Sequence, residues 1–310
     1  MALVLSLNPS LEKWYWINDF DIGKSFIVKD FKYTIGGGGI NVAKVINGFN
    51  EPVAVMGFAG GNSGMYIERE LDRMSIVNKF IPIEEDSANT VRIIRENNIY
   101  TEIVEEGPSV SSYYVSQLYE LYKELILKED LICVCGDLPR GLPTDILSDL
   151  IILAKKYNKK FFLSAKGEYL KAGIKTIPYF ACLTKEELEC YLGFSVETNL
   201  EVIQAGKYLS NDGIEVLMLF LGKDDVYVFH DGYIYMIRIP NIEVMNPIGV
   251  RDSMVGGYIV SLMREYDFEF TLKMSVACGL SNGLVAEPGK VDMVSMKRIM
   301  NDLVIIRSQF

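Results

Sequence analysis

Short apolar runs alternate with amphipathic segments along most of this 310-residue chain. The apolar runs lie at residues 2–7, 53–57, 131–135, 160–164, 179–183 and 216–221. The amphipathic segments between them lie at residues 39–49, 65–73, 110–128, 144–157 and 199–209. Apolar runs between helical patterns are typical of strands that a parallel sheet buries on both faces. The alternation therefore predicts an α/β fold with a doubly wound, mainly parallel sheet covered by helices.

Two segments interrupt this alternation with half-polar strand patterns that no crossover helix separates. We expect them to form a small β-strand lid from about residues 12–35 and 81–105. The last third of the chain is predicted to be helical, at residues 253–264, 271–284 and 294–307. Because no low-complexity linker and no internal repeat divides the sequence, we expect one domain over residues 1–310.

Charge and cysteine use narrow the function classes. The formal net charge of -10 argues against nucleic acid or an anionic membrane surface as the main partner. No run approaches the roughly 18 apolar residues of a membrane span, and residues 1–5 lack the basic residues of a secretion signal. Cys133 and Cys135 lie in a strand-like run, where burial is expected rather than metal ligation. We therefore expect a cytoplasmic protein.

The single histidine offers little support for a catalytic triad or a zinc site. His230 precedes Asp231 and Gly232 between two strand-like runs, a pattern typical of a hairpin turn. Histidine-based chemistry is therefore not expected.

Four consecutive glycines form the first motif that suggests chemistry. Gly36, Gly37, Gly38 and Gly39 lead into a helical pattern that contains Asn41. Bare backbone and a helix N-terminus would both face a bound ligand there, although a flexible turn is the alternative. The run matches neither G-x-G-x-x-G nor the phosphate-binding G-x-x-x-x-G-K-[ST] pattern.

A carboxylate near a second helix start forms the other motif. Asp252 follows Gly249 and Arg251 at the beginning of a segment with apolar residues at helical spacing. The side chain could cap the helix. Alternatively, it is a general base beside backbone N–H groups that stabilise a developing phosphoryl charge.

Together these stretches resemble the ribokinase-like sugar kinases, and more closely their phosphofructokinase B branch, the 1-phosphofructokinase and tagatose-6-phosphate kinase group. Further matching stretches lie at residues 7–12, 57–61, 101–103, 136–143 and 221–222, so the resemblance covers nearly the whole chain. In that family an Asp that ends a G-A-G-D motif removes the proton from the sugar hydroxyl. The resemblance implies this role for Asp252, with Gly249 and Arg251 in the same motif.

On the acceptor side, the resemblance implies sugar contacts from the four glycines, Asn41, Glu12, Arg92, Arg95 and Glu102. Several of these positions depart from the family pattern. The family's Gly-Gly-Lys-Gly becomes four glycines, which removes a cation. Alternation places Arg95 on one strand face with Val91 and Ile93, and Arg92 on the other face unless the register slips by one.

On the nucleotide side, the resemblance implies ATP contacts from Thr184, Lys185, Glu187, Gly222, Lys223, Gly249 and Asn282. Glu187 is also expected to organise Mg²⁺ through water. Arg251 replaces the second glycine of the G-A-G-D motif, where bare backbone N–H groups would approach the transferred phosphoryl. We therefore expect a Lys or Arg side chain to complete the anion-binding site.

The resemblance implies an ATP- and Mg²⁺-dependent kinase for a sugar phosphate of the tagatose 6-phosphate or fructose phosphate type. The lost polar residues leave a second hypothesis open, a weakly catalytic sensor that binds nucleotide or sugar phosphate. A third is a kinase for a nucleoside or an unphosphorylated sugar, suggested by the missing lysine and by Val91 and Ile93. The aromatic residues Trp14, Tyr15 and Trp16 in the lid segment, together with the family's habit of pairing lids, suggest a homodimer through the lid.

Overall fold

A computed structural model describes residues 1–96, 100–222 and 225–309. Its largest element is a ten-stranded sheet in the order β14-β13-β12-β11-β10-β9-β8-β1-β4-β5. The strands are β1 (Ala2–Ser6), β4 (Val53–Gly60), β5 (Val77–Ile83), β8 (Leu131–Cys135), β9 (Lys160–Ser164), β10 (Phe180–Thr184), β11 (Val216–Phe220), β12 (Val226–His230), β13 (Tyr233–Arg238) and β14 (Val304–Gln309). All neighbours from β5 to β11 pair in parallel, and β12, β13 and β14 extend the sheet in antiparallel pairs.

Ten helices in the described residues cover the two faces of this sheet. They are α1 (Gly38–Gly48), α2 (Gly61–Arg73), α3 (Ser112–Ile126), α4 (Ile146–Lys156), α5 (Gly167–Lys175), α6 (Lys185–Leu192), α7 (Asn199–Asn211), α8 (Val250–Met263), α9 (Phe268–Gly283) and α10 (Met293–Asp302). Strand β1 shows why residues 2–5 are all apolar, because Ala2 and Val4 pack into one core and Leu3 and Leu5 into the other. The predicted doubly wound α/β fold is confirmed.

A second, four-stranded sheet lies apart from the large one, in the order β3-β2-β6-β7. Its strands are β2 (Ser10–Trp16), β3 (Phe31–Gly36), β6 (Ala88–Ile94) and β7 (Tyr100–Val104). The register pairs Trp14 with Arg92, and Arg92 in turn with Glu102. These side chains therefore share one face of the small sheet, since directly paired residues point to the same side.

Two predicted boundaries differ from the structure. Residues 81–83 belong to β5 at the edge of the large sheet, so the predicted lid segment 81–105 begins too early. The helix predicted over residues 294–307 ends at Asp302, and residues 304–309 form strand β14 instead. Strand β14 pairs with β13, whose edge N–H and C=O groups would otherwise lack partners. That pairing joins residues about 70 positions apart, so local periodicity could not reveal it.

The aromatic residues of β2 are also placed differently from the expectation. Trp14 is 3% exposed and lies against the Arg92 guanidinium, so the single chain already buries it. Its burial therefore needs no partner subunit. Within the described residues, no helix is both long enough and apolar enough to cross a membrane.

Candidate active site

Asp252 lies in the first turn of α8 and is 8% exposed. The helix begins at Gly249, whose φ of +79° lies in the left-handed region that favours glycine. A Cβ added at Gly249 would lie 2.9 Å from Asn282 Oδ1 and 3.0 Å from Pro288 Cβ. Both backbone conformation and space therefore require glycine, and the resulting turn directs the start of α8 toward the carboxyl edge of the sheet.

Two neutral donors hold the Asp252 carboxylate. Asn41 Nδ2, from α1, donates to Oδ2 at 2.9 Å, and Cys135 Sγ, from the end of β8, donates to Oδ1 at 3.2 Å. Arg251 Nε is 4.0 Å from Oδ1. The carboxylate is therefore fixed in position by an amide and a thiol, with a cation close by.

Two clefts meet at this carboxylate. Cleft A lies between the small sheet and the carboxyl ends of β1, β8 and β9, and its lining includes Asn8, Ser10, Glu12, Gly37, Gly38, Asn41, Thr90, Arg92, Glu102, Glu105, Gly136 and Asp137. Cleft B lies beyond β10 and β11, and its lining includes Gly167, Thr184, Glu186, Glu187, Phe220, Pro247 and Gly249. Both clefts are also lined by Lys166, Arg251 and Asp252. Ligands of open α/β sheets bind at this carboxyl edge.

The glycine run brings backbone segments together. A Cβ added at Gly38 would lie 2.7 Å from the Cα of Gly136, so these two backbone segments touch and leave no room for a side chain. Gly37 and Gly38 line cleft A. Gly36 and Gly39 are not among the lining residues, because they pack against Glu12 and Ser6 respectively.

Arg92 lies in a buried network on the small sheet. Its Nη1 and Nη2 donate to the two carboxylate oxygens of Glu12 at 2.6 and 3.2 Å, and its Nε donates to Glu102 Oε1 at 2.7 Å. The Trp14 ring lies 5.1 Å from the guanidinium carbon. Two carboxylates and one aromatic ring therefore hold a single cation, which is 5% exposed.

The register question between the two arginines has a clear structural answer. Thr90 and Arg92 face cleft A, whereas Arg95 lies beyond the end of β6. Arg95 is exposed there, and its Nε donates to the backbone oxygen of Asn18 at 3.1 Å. The structure therefore does not bring Arg95 to the cleft, because β6 ends at Ile94 and pairing with β2 sets the face.

On the side of cleft B, Arg251 makes an ion pair with Glu187. Arg251 Nη1 donates to Glu187 Oε1. The other Glu187 oxygen accepts from the Thr184 N–H at 2.9 Å, while Thr184 Oγ1 accepts from the Glu187 N–H at 3.3 Å. This capping box starts α6. Thr184 and Glu187 thus use their polar groups to begin a helix and to hold Arg251.

The surroundings of Arg251 raise the pKa of its guanidinium and so keep it positively charged. Burial lowers the pKa of its guanidinium, but Glu187 and other negative neighbours outweigh this effect and raise the pKa above its usual value. Burial and the Asp252 charge raise the pKa of the Cys135 thiol well above its usual value. Cys135 is therefore a neutral donor to Asp252 rather than a thiolate nucleophile.

Several predicted ATP contacts lie elsewhere. Lys185 has its Nζ 3.8 Å from Glu189 Oε1 and does not line cleft B. Asn282 is fully buried in α9, where its Nδ2 donates to the backbone oxygens of Glu287 and Lys290. Gly222 is in a turn after β11 and is not among the lining residues of cleft B. Lys223 falls outside the described residues.

The donor set fits phosphates better than a resident metal. Gly249 and Arg251, at the start of α8, both line cleft B, and the first turn of a helix carries backbone N–H groups without intrahelical partners, an arrangement suited to an anion. In the part of the chain that the structure describes, no three His, Cys, Asp or Glu side chains are grouped to hold a metal ion. Both Glu187 oxygens already accept a hydrogen bond, one from the Thr184 N–H and one from Arg251, so a water that bridges Glu187 to Mg²⁺ would have to share an oxygen with one of these donors.

Sequence reasoning missed several residues that line the clefts or contact Asp252. Lys166 lines both clefts two residues after β9, and Asp137 lines cleft A two residues after β8. The sequence context of Cys135 predicts only a small buried core residue, yet its Sγ donates to Asp252 Oδ1. The signal was available, because each of these positions is at or just after the carboxyl end of a predicted parallel strand.

Comparison with known proteins identifies the family. The profile of the pfkB family carbohydrate kinases matches residues 17–281. A tagatose-6-phosphate kinase of Staphylococcus epidermidis is 31% identical over 314 residues, covering 99% of each chain. A Thermotoga maritima structure described as a possible 1-phosphofructokinase has a TM-score of 0.90 at 21% identity and 99% coverage of both chains. Escherichia coli phosphofructokinase-2 in complex with fructose 6-phosphate has a TM-score of 0.87 at 20% identity, covering 97% of this chain and 98% of that one. The chain belongs to the pfkB family of carbohydrate kinases.

Proposed function

We propose that this carbohydrate kinase transfers the γ-phosphoryl of ATP to a sugar hydroxyl in cleft A, with Asp252 as the general base. The observation that carries this proposal is the position of the Asp252 carboxylate, where cleft A meets cleft B. Neutral donors hold the carboxylate, and among the described residues its near cation is Arg251, with Nε 4.0 Å from Oδ1. An oriented carboxylate between a hydroxyl site and a phosphate site is what phosphoryl transfer needs.

The chemical step follows from this placement. Asp252 accepts the hydroxyl proton as the sugar oxygen forms a bond to the γ-phosphorus, and the bond between that phosphorus and the bridging oxygen of ADP breaks. Arg251 lines both clefts and carries a secured positive charge. We propose that Arg251 neutralises the transferred phosphoryl, with the N–H groups of the first α8 turn as further donors.

ATP enters this scheme as a substrate, with Mg²⁺ bound to its phosphates. Cleft B offers a cation, a helix N-terminus and the Phe220 ring beside the backbone of Gly249. Mg²⁺ commonly binds substrate phosphates and keeps several waters, so the protein need not supply a cage of carboxylates.

The acceptor panel starts from the relatives. The name of the S. epidermidis relative supports tagatose 6-phosphate as an acceptor to test, and the solved complex supports fructose 6-phosphate. The paired state of Arg92 favours a second candidate, a kinase for an unphosphorylated sugar or a nucleoside. The commitment of both Glu187 oxygens favours the sensor hypothesis, whereas the held and oriented Asp252 supports catalysis.

The test measures acceptor-dependent ADP formation with MgATP across sugar phosphates, free sugars and nucleosides. Asp252→Asn should lower kcat by about 10²–10⁴-fold, because general-base catalysis contributes about that much. Asp302→Asn is the control, since it removes an exposed carboxylate at the end of α10 that lines neither cleft. Retention of more than about a tenth of the wild-type rate in Asp252→Asn would point to another base. Absence of acceptor-dependent turnover would favour the sensor.

We also propose a homodimer through the outer face of the small sheet. Phe31 and Tyr33 are 53% and 43% exposed there, with ring centres 5.6 Å apart, and the Tyr15 ring lies beside Phe31. An exposed aromatic cluster is typical of a contact surface. Sedimentation should give a dimer for the wild type and a monomer for Phe31→Glu; a wild-type monomer at all concentrations would contradict the proposal.

A further inference from the structure

The cations of cleft A all have partners. Arg92 is bound by Glu12 and Glu102, Lys166 Nζ lies 3.1 Å from Asp137 Oδ1, and Arg251 is bound by Glu187. Five carboxylates and three cations line the cleft, which leaves an excess of two negative charges. A phosphate group carries a further one to two negative charges, so this lining would repel it rather than bind it.

The backbone at the glycine run leaves no space for the side chain of another cation in cleft A. Gly38 lies against Gly136 so closely that no side chain could project between them. Lys44, which follows the glycine run in α1, is turned away from the cleft, because its Nζ donates to the Ile35 backbone oxygen at 2.7 Å and lies 3.7 Å from Glu287. The charge balance of cleft A is therefore set by the backbone as well as by the side chains.

An aromatic pocket adjoins cleft A at Arg92 and Ile248, which line both. We call it the Trp pocket, and its apolar lining consists of Trp14, Trp16, Ile94, Tyr100, Met245, Ile248 and Ala286. The four residues from the small sheet share its inner face with Glu12 and Arg92. That face is thus polar beside Asp252 and aromatic farther away.

The indole rings of this pocket have different surroundings. Trp14 is buried, with its Nε1 donating to Glu12 Oε2 at 3.2 Å, whereas Trp16 is half-buried with its ring centre 6.2 Å from that of Trp14. Trp14 therefore belongs to the Arg92 network, and Trp16 presents an aromatic surface to the pocket. Flat rings gain binding energy by stacking on such a surface.

We propose that the acceptor of this kinase is an uncharged sugar that carries a flat apolar ring. The sugar lies in cleft A with a hydroxyl at Asp252, and its ring lies in the Trp pocket. A nucleoside and an aryl glycoside share this chemistry. The inference rests on the proposed function for the reacting hydroxyl, while the charge balance and the Trp pocket carry the acceptor class independently.

The test is a binding measurement that needs no turnover. Trp14 and Trp16 are the two tryptophans of the sequence, so intrinsic fluorescence excited at about 295 nm reports on this pocket alone. Asp252→Asn protein is titrated with adenosine, phenyl β-D-galactoside, methyl β-D-galactoside and tagatose 6-phosphate. We expect a saturable change for adenosine or the phenyl glycoside, with a Kd about five- to a hundredfold below those of the other two probes.

Variants locate the ring. Trp16→Ala should raise the Kd of the ring-bearing probe by about five- to a hundredfold, and Trp16→Phe should restore most of the affinity. Tyr15→Ala is the matched control, because the neighbouring residue points to the opposite face of the sheet. Thermal unfolding of each variant separates lost binding from lost folding, and the four-probe comparison on Asp252→Asn protein requires no pocket variant.

The outcomes separate this inference from the proposed function. Tighter binding of tagatose 6-phosphate than of either ring-bearing probe overturns the inference, and so does equal affinity for the phenyl and methyl glycosides. Turnover of sugar phosphates by wild-type protein with that binding pattern leaves the proposed function standing. Ring-selective binding without any turnover overturns the proposed function and supports the acceptor class of the site.

Discussion

Two buried arginines, one on each side of Asp252, differ in the number of carboxylates that hold them. Arg92 faces two carboxylates and an indole ring and is 5% exposed. Arg251 has one direct carboxylate partner, Glu187, and its guanidinium lies where the two clefts join. A cation shared by two carboxylates has no charge left for a ligand, whereas a cation with one partner can exchange it for a phosphate of similar charge. The comparison indicates that Arg92 is structural and that Arg251 is available to the reaction.

The loss of folding stability on removal should also differ between Arg92 and Arg251. Removing one member of a buried ion pair leaves an uncompensated charge, which costs far more than the pair itself contributes. For Arg92 the groups left without a partner would be Glu12, which is buried in the small sheet, and Glu102, which is exposed. For Arg251 the abandoned group would be Glu187, which keeps its capping contacts with Thr184. Loss of Arg92 should therefore affect folding, and loss of Arg251 should affect catalysis.

The largest expected effect is on stability. Arg92→Ala should lower the free energy of unfolding by about 3–5 kcal/mol, measured by urea denaturation, because Glu12 is left buried without its partner. Arg95→Ala is the matched control and should change stability by less than about 0.5 kcal/mol, since Arg95 is exposed. Equal effects of the two substitutions would remove the distinction drawn for Arg92.

Next comes an effect on rate. Arg251→Ala should lower kcat by about 10²–10³-fold, because a donor to the transition-state charge is lost, and should lower the urea midpoint less than Arg92→Ala does. Arg251→Lys should recover part of the rate, since it keeps the charge without the guanidinium geometry. Lys185→Ala serves as the control, as this lysine lies outside cleft B. A stability loss as large as that of Arg92→Ala would show that Arg251 is structural too.

The order of strands and helices could be predicted because burial on both faces and helical periodicity are local properties of the sequence. The family resemblance was carried by motifs whose order and spacing are likewise written in the chain, and family comparison confirms it. Strand β14 escaped prediction because its partner is distant. Which of Arg92 and Arg95 lines the cleft also escaped prediction, because strand pairing and the end of β6 decide it.

The site was predicted in part, for related physical reasons. Motif spacing indicated Asp252, Gly249 and Asn41, which the structure brings together. Lys185 and Asn282 lie on helices whose orientation depends on tertiary packing, and that packing turns both away from cleft B. Cys135 shows the converse case, a residue with an apolar sequence context that tertiary structure places against a carboxylate.

A smaller effect on rate is expected at Cys135, one of the two uncharged groups that donate hydrogen bonds to Asp252. Cys135→Ala should lower kcat by about two- to tenfold, the equivalent of one hydrogen bond, because Asp252 then loses one of its two neutral donors. Cys135→Ser keeps a donor and should stay near wild type. Cys182→Ala is the control, since this thiol is buried nearby without a hydrogen bond to Asp252 in the described residues. Equal losses for Cys135→Ala and Cys135→Ser would indicate a packing role instead.

The smallest expected effect concerns a third ion-pair arrangement, which reverses that of Arg92. One carboxylate, Glu287, lies 2.6 Å from Lys32 Nζ of the small sheet and 3.7 Å from Lys44 Nζ of α1. Burial raises the pKa of Glu287, but the Lys32 hydrogen bond and the Lys44 charge outweigh it and lower the pKa overall. A lowered carboxyl pKa stabilises the fold above the unfolded value of about 4.3, and this stabilisation is lost as pH falls through the lower folded value.

Glu287→Gln should therefore lower the free energy of unfolding by about 0.5–1 kcal/mol at pH 7, and the difference from wild type should shrink to nothing well below pH 4. Urea denaturation at several pH values measures this difference in the free energy of unfolding. Glu243→Gln is the control, because Glu243 is exposed and its substitution should have no effect at any of these pH values. A difference that grows toward low pH would have the wrong sign for this carboxylate. Such a result would mean that Glu287 does not join the small sheet to α1 as a charged group. A carboxylate between two lysines would then not stabilise the fold in the way that Arg92 does between two carboxylates.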